Sequence, residues 1–164
     1  MILVDTNIIS TFMKIERLDL LFKVFNTPKL YLSSNVFQEL KVDRDRGYAP
    51  AEELFCLIND HRIDIVIPSK KESLLTLKLP ESFGSGELDS IAICKEREAV
   101  FLSNEKKVIN YCKRKGITCF DLCDILAALW RYKLLRKNEI RELIKEIEER
   151  DNVFIPSKDI IFEE

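Results

Sequence analysis

The residues best suited to chemistry are four acids spread along the chain: Asp5, Glu39, Asp89 and Glu105. Asp5 closes the short apolar run Ile2-Leu3-Val4 and is followed by a hydroxyl and an amide, Thr6 and Asn7. A carboxylate placed where a covered parallel strand stops emerges at the sheet edge, where ligands collect. The other three lie in or beside segments of helical period. Glu39 falls three residues after Val36 and three before Val42, Asp89 three and four before Ala92 and Ile93, and Glu105 three before Val108 and seven before Cys112. That spacing leans each acid toward an apolar stripe. A carboxylate turned inward is unfavourable unless a cation or hydrogen-bond donors meet it, and four without an evident arginine partner point to a divalent metal. Taken singly, each acid also reads as a helix cap or turn residue.

The elements that must position these acids follow from periodicity. Strand-length apolar runs at residues 2–4, 30–32, 63–67, 100–102 and 117–119 alternate with helical segments at 8–14, 18–25, 36–42, 51–58, 70–77, 88–96 and 106–115. Strands joined by helices must run parallel, so the expected fold is α/β with a central parallel sheet of about five strands flanked by helices. Right-handed crossovers then bring Asp5 and the segment Ser103-Asn104-Glu105 to one sheet edge. Two further amphipathic helices follow Asp121, the second starting at an Asn138 cap, and Val153-Phe154-Ile155 reads as an edge strand. We expect one domain over residues 1–164, with a core over about 1–120 and a helical extension over about 121–164.

Bulk properties narrow the function. The 164 residues are 46% hydrophobic, enough for one well-buried core. No apolar run approaches the roughly 20 residues of a membrane helix, and Met1 leads directly into a strand, so a cytoplasmic protein is expected. Five cysteines, an odd number without a Cys-x-x-Cys pair, imply free thiols, and a lone His61 argues against a structural zinc or a histidine-dependent hydrolase. A net charge of −2 excludes a uniformly basic coat for nucleic acid, yet Lys41, Arg44 and Arg46 follow Glu39, and Lys106 and Lys107 follow Glu105. These cations are candidate contacts to a polyanion, and their ordinary reading is a solvated helix face. The polar stretch from Asp43 to Tyr48 is a candidate mobile loop beside the site, with Tyr48 able to stack on an unpaired base. No Gly-rich phosphate cradle accompanies Gly84-Ser85-Gly86, and the position two residues after Asp5 holds Asn7 where an aspartyl phosphatase wants a second acid.

Four separated motifs resemble those of the PIN-domain nucleases, which include the VapC-type toxin ribonucleases: Val4-Asp5-Thr6-Asn7, Val36-Phe37-Gln38-Glu39-Leu40, Gly86-Glu87-Leu88-Asp89-Ser90-Ile91-Ala92 and Leu102-Ser103-Asn104-Glu105. The resemblance implies a metal-dependent endoribonuclease cutting single-stranded RNA with Mg²⁺ or Mn²⁺. Asp5, Glu39, Asp89 and Glu105 are then the catalytic and metal-binding acids. Thr6, Asn7, Ser103 and Asn104 orient them, and Glu87 is either an alternative acid or a helix N-terminal residue favoured by the dipole. The fourth motif carries Glu105 where the family usually has aspartate, so a catalytically weakened PIN-like domain that binds RNA or protein is the alternative. The family also implies a homodimer, for which Ile8, Ile9, Phe12 and Met13 are a candidate surface, and an antitoxin partner if the chain is a toxin.

Overall fold

The computed structural model describes residues 1–47, 52–156 and 158–163. Its centre is a five-stranded, all-parallel sheet in the order β3-β2-β1-β4-β5, built from β1 (Ile2–Val4), β2 (Leu30–Ser33), β3 (Ile63–Val66), β4 (Val100–Leu102) and β5 (Cys119–Phe120). Among the described residues nine helices flank it: α1 (Thr6–Lys14), α2 (Asp19–Val24), α3 (Ser34–Asp45), α4 (Glu52–Asn59), α5 (Lys70–Thr76), α6 (Ser85–Arg97), α7 (Lys106–Lys115), α8 (Leu122–Arg131) and α9 (Lys137–Asp151). None is long and apolar enough to cross a membrane.

The sheet separates two apolar layers because alternate side chains of a strand point to opposite faces. Val4 and Leu102 pack with Ile8, Phe12, Leu126, Leu143 and Ile147 from α1, α8 and α9. Leu3 and Phe101 pack with Ile91, Cys94, Val108 and Cys112 from α6 and α7. Ile8, Ile9, Phe12 and Met13 are at most 1% exposed, which removes them as a dimer surface: they are the core contact of α1 with the C-terminal helices. Trp130 is half-buried, edge-on to Phe162.

The elements differ from expectation mainly at their ends. α1, α3 and α6 begin two to three residues before the apolar pattern does, because caps such as Asp5 and Ser33 are polar and start a helix ahead of its first core residue. The fifth strand pairs through Cys119 and Phe120, not through Ile117, whose amide is taken by the Cys112 carbonyl where Gly116, at φ +67°, ends α7. Asp43, Arg44 and Asp45 complete α3 and are not a loop, and Tyr48 lies outside the described residues. Val153-Phe154-Ile155 forms no strand: Ile155 is buried and donates its amide to Glu148 of α9, while Phe154 faces outward. α9 starts at Lys137, with Glu139 accepting the Arg136 amide, so Asn138 sits inside the first turn.

The chain winds from β1 outward through β2 to β3, then returns across β1 to β4 and β5. Chain order therefore reverses between β1 and β4. That switch point opens a crevice at the strand C-termini, flanked by the first turns of α1 and α7.

Candidate active site

Asp5 stands at the switch point. Its amide donates to the Leu102 carbonyl at 2.9 Å, extending the β1–β4 pairing by one residue. Its carboxylate is only 4% exposed and accepts three hydrogen bonds: Oδ1 from the Thr6 amide at 2.9 Å, and Oδ2 from Ser103 Oγ at 2.7 Å and Asn7 Nδ2 at 3.1 Å. Those donors are themselves held, for the Asn7 amide oxygen accepts the Asn104 N–H and Ser103 Oγ accepts the Glu105 N–H. Burial pushes the Asp5 carboxyl up to about 6 against the pull of the Ser103 and Thr6 hydrogen bonds, and the negative charges of Glu87 and Glu39 add to the rise.

Glu39 comes from α3 and bridges two other helices. Its Oε2 accepts from Thr6 Oγ1 at 2.5 Å and its Oε1 from the Gly86 amide at 3.3 Å. Gly86 is required there: a Cβ would fall 2.8 Å from Val36 Cγ2 and 2.9 Å from Glu39 Oε1, so only glycine lets the first turn of α6 approach α3 this closely. Asp89, one turn further along α6, is buried and accepts from Asn35 Nδ2 at 2.8 Å. Burial raises its carboxyl above the usual range, with the Asn35 bond opposing. Beneath it the buried hydroxyls of Ser90 and Ser33 meet at 3.4 Å, so the α3–α6 seam is polar along the side that faces the site.

The two remaining acids behave differently. Glu87 accepts the Gly84 amide at 2.7 Å and pairs with Lys107 of α7 at 3.1 Å, so it serves the N-terminus of α6 while lending its charge to the environment of Asp5. Glu105 does not turn inward as its spacing implied. It is the N-cap of α7, in extended backbone at φ −81° and ψ 114°, and its side chain is exposed. An N-cap residue lies outside the helical dihedrals, so the 3.6-residue period does not carry it onto the stripe. Among the described residues no three His, Cys, Asp or Glu side chains stand close enough together to hold an ion between them. The expected four-acid cluster is instead two hydrogen-bonded groups, Asp5 with Thr6 and Glu39, and Asp89 with Asn35.

Sequence reasoning missed Asn35, and it placed Asp43 in a loop beside the site where the structure puts it on α3. With Glu39 they stand at i, i+4 and i+8 on α3, and they line with Thr6 and Ser85 an open groove of about 420 Å³ beside the acids. The four-residue recurrence of polar side chains was the available signal. The cations expected to meet a polyanion are scattered. Lys41 lies over the Phe37 ring, Arg44 over Phe55 at 4.6 Å while pairing with Asp45, and Arg46 caps α3. Lys106 and Lys107 open α7 next to Glu105.

A buried carboxylate at a topological switch point, oriented by hydroxyl and amide donors and accompanied by acids from two adjoining helices, sits in a PIN-type sheet. The chain belongs to the DUF3368 PIN-domain family, whose model matches residues 1–161. Among solved structures it is similar to a PilT N-terminus domain protein, SSO1118, from the hyperthermophilic archaeon Sulfolobus solfataricus P2, at 18% identity and a TM-score of 0.50 over 77% of this chain and 91% of that one. That likeness concerns the fold. No curated protein matches the chain. PIN domains are generally nucleases and typically use divalent metals.

Proposed function

We propose that this protein is a metal-dependent endoribonuclease that hydrolyses phosphodiester bonds in single-stranded RNA. The observation that carries the reading is the Asp5 carboxylate, buried at the switch point, fixed by three donors and, among the described residues, without a cation partner. Natural proteins keep such a group where a ligand supplies the missing charge. The donor set fits Mg²⁺ or Mn²⁺, because Asp5, Asp89 and Glu39 offer only hard oxygens and Mg²⁺ needs just one or two carboxylates beside water and phosphate.

Asp5 and Asp89 would hold the ion together with its waters, and Glu39 would orient the attacking water within that shell. The bound ion supplies Lewis-acid stabilisation of the phosphoryl oxygens and lowers the pKa of a coordinated water. Ser103, Asn7 and Thr6 keep the Asp5 oxygens in one orientation, so little reorganisation remains when substrate arrives. Glu39 is similarly tied by Thr6 and Gly86. Glu105, exposed beside Ser103, is free to reach a second ion or its waters.

Cleavage of a single-stranded RNA panel with Mg²⁺ or Mn²⁺, with EDTA as control, tests this. Activity is expected in the wild type and lost in Asp5→Asn and in Asp89→Asn; activity that survives both substitutions overturns the reading. Metal-dependent RNA binding without cutting would leave the chain as a PIN-like binding module. The finer reading of a toxin in a toxin–antitoxin pair predicts growth arrest on expression, relieved by the protein encoded beside it. A homodimer, if formed, must use a face other than that of Ile8, Ile9, Phe12 and Met13, and sedimentation reads the state directly.

A further inference from the structure

Helix α7 carries Lys106, Lys107, Lys113, Arg114 and Lys115 and no acid, in a chain whose 26 basic residues are outnumbered by 28 acidic ones. Its apolar stripe of Val108, Ile109, Tyr111 and Cys112 is buried, so the cations occupy the outer side. Cations at the last turn complement the helix dipole, but Lys106 and Lys107 stand in the first turn, where the dipole opposes them. Local helix electrostatics therefore does not account for the whole set.

The outer side of α7 faces the segment that leads into α6, and the two enclose an open trough of about 640 Å³. Its lining includes Lys107, Lys113 and Arg114, the polar side chains Ser82 and Asn110, and Phe83, with no carboxylate. Lys113 and Arg114 are exposed, and among the described residues neither enters an ion pair. Lys107 marks the junction with the acid site: it donates to the Ser82 carbonyl at 2.9 Å and pairs with Glu87 at 3.1 Å. The groove beside α3 has the opposite character, lined by Glu39 and Asp43. An anionic strand meets a repulsive wall along α3 and an attractive one along α7.

We propose that the trough between α7 and the Ser82–Phe83 segment is the phosphate track of the substrate, in which Lys113 and Arg114 neutralise backbone phosphates of a single strand lying on one side of the scissile bond and Lys107, paired with Glu87, marks the end of the track at the acid site. This rests on the nuclease reading of the acid site. Lys107 and Arg114 are seven residues apart, two helical turns or roughly 10 Å along the axis, so the track engages more than one phosphate. Phe83 is 7% exposed and edge-on to Tyr111, which leaves it no free face for a base. The trough thus holds backbone and contributes little sequence preference.

The test is binding of fluorescent single-stranded RNA to the full chain in EDTA, where cutting is suppressed, across a salt series, with DNA of the same sequence as a second probe. Lys113→Glu/Arg114→Glu is compared with a charge-matched control, Lys95→Glu/Lys145→Glu, and with the milder Lys113→Ala/Arg114→Ala; thermal melts confirm that each is folded. The expected result is at least a tenfold weaker Kd for the α7 variants alone. The slope of log K against log salt should shrink by roughly 0.7 for each phosphate that is no longer neutralised. With metal, KM rises while kcat at saturating RNA is kept. Equal loss for RNA and DNA supports a track that reads phosphates.

Wild-type affinity and salt slope in Lys113→Glu/Arg114→Glu overturn the track, and loss of cleavage in Asp5→Asn then leaves the nuclease reading standing. Trough-dependent binding in a protein that never cuts overturns the nuclease reading and keeps the trough as a nucleic-acid contact. Absence of both binding and cutting overturns both.

Discussion

Asp5 illustrates how a functional side chain conflicts with stability. A carboxylate held at 4% exposure opposite other acids is costly to ionise in the folded protein, and its carboxyl is pushed up to about 6. Asn can still accept the Thr6 amide and is a good N-cap, so Asp5→Asn removes the buried charge and keeps the cap bond, at the cost of the two bonds that Oδ2 accepts from Ser103 Oγ and Asn7 Nδ2. We expect this variant to be inactive yet more stable than wild type in metal-free buffer at neutral pH, by roughly 1–3 kcal/mol, as read by denaturant titration. Mn²⁺ should raise the melting temperature of the wild type and not of the variant. A wild-type stability equal to or above that of Asp5→Asn without metal sinks this account. Removing only the Ser103 donor is gentler: Ser103→Ala should lower activity roughly 10–100-fold through loss of carboxylate orientation, measured as kcat/KM on the same RNA. Gly86→Ala adds a methyl against Val36 and Glu39. It should cost about 1–3 kcal/mol and reduce cleavage because Glu39 must move, while an Ala variant matching wild type in both would show that the α3–α6 approach is slack.

Helix α6, which presents Gly86 and Asp89, is tied to α5 by an ion pair whose acid is buried. Glu72 of α5, 3% exposed, accepts the Ser69 amide and two bonds from Arg97 at the end of α6, at 2.6 and 2.8 Å. The Arg97 guanidinium holds the Glu72 carboxyl down from 4.5 to about 2. A lowered carboxyl stabilises the fold in full above its unfolded value, and that stability is lost as pH falls from about 4.5 toward 2. Glu72→Gln should therefore destabilise the protein by about 3 kcal/mol at neutral pH and flatten the acid limb of the stability curve. An unchanged limb in the variant assigns acid unfolding to other carboxylates. This pair joins an acid and a base 25 residues apart. No local period links residues so far apart, so the sequence pattern does not single them out.

For the molecule as a whole, the C-terminal helices are part of the structure that carries the site. Ile140, Leu143, Ile144 and Ile147 of α9 share one apolar layer with Ile8 and Phe12 of α1, and Asp151 accepts from Thr11 and Lys14 of α1. Asp5 caps the start of α1, so the layer that α9 completes also backs the active-site helix. We expect truncation after Phe120 to leave residues 1–120 insoluble or molten, because α8 and α9 bury several large side chains worth roughly 1.5–3 kcal/mol each. A truncated chain that melts cooperatively would show the extension to be an independent unit. Charge is also arranged over the whole surface, with a near-neutral total divided into an acidic groove at α3 and a basic trough at α7.

Local patterns were enough for the strands and helices to be read almost in place, since periods of 2.0 and 3.6 residues report which side of an element is buried. They were also enough to put Asp5 and Ser103 at one edge, because helices between strands force parallel pairing and parallel strands end together. Partner choice followed from packing. That Asn35 would hold Asp89, that Gly86 would touch Glu39, that Lys107 would meet Glu87 and that Glu105 would cap α7 with its side chain outward depend on how closely α3, α6 and α7 approach. Those approaches are set by side chains far apart in the chain, and no local period encodes them.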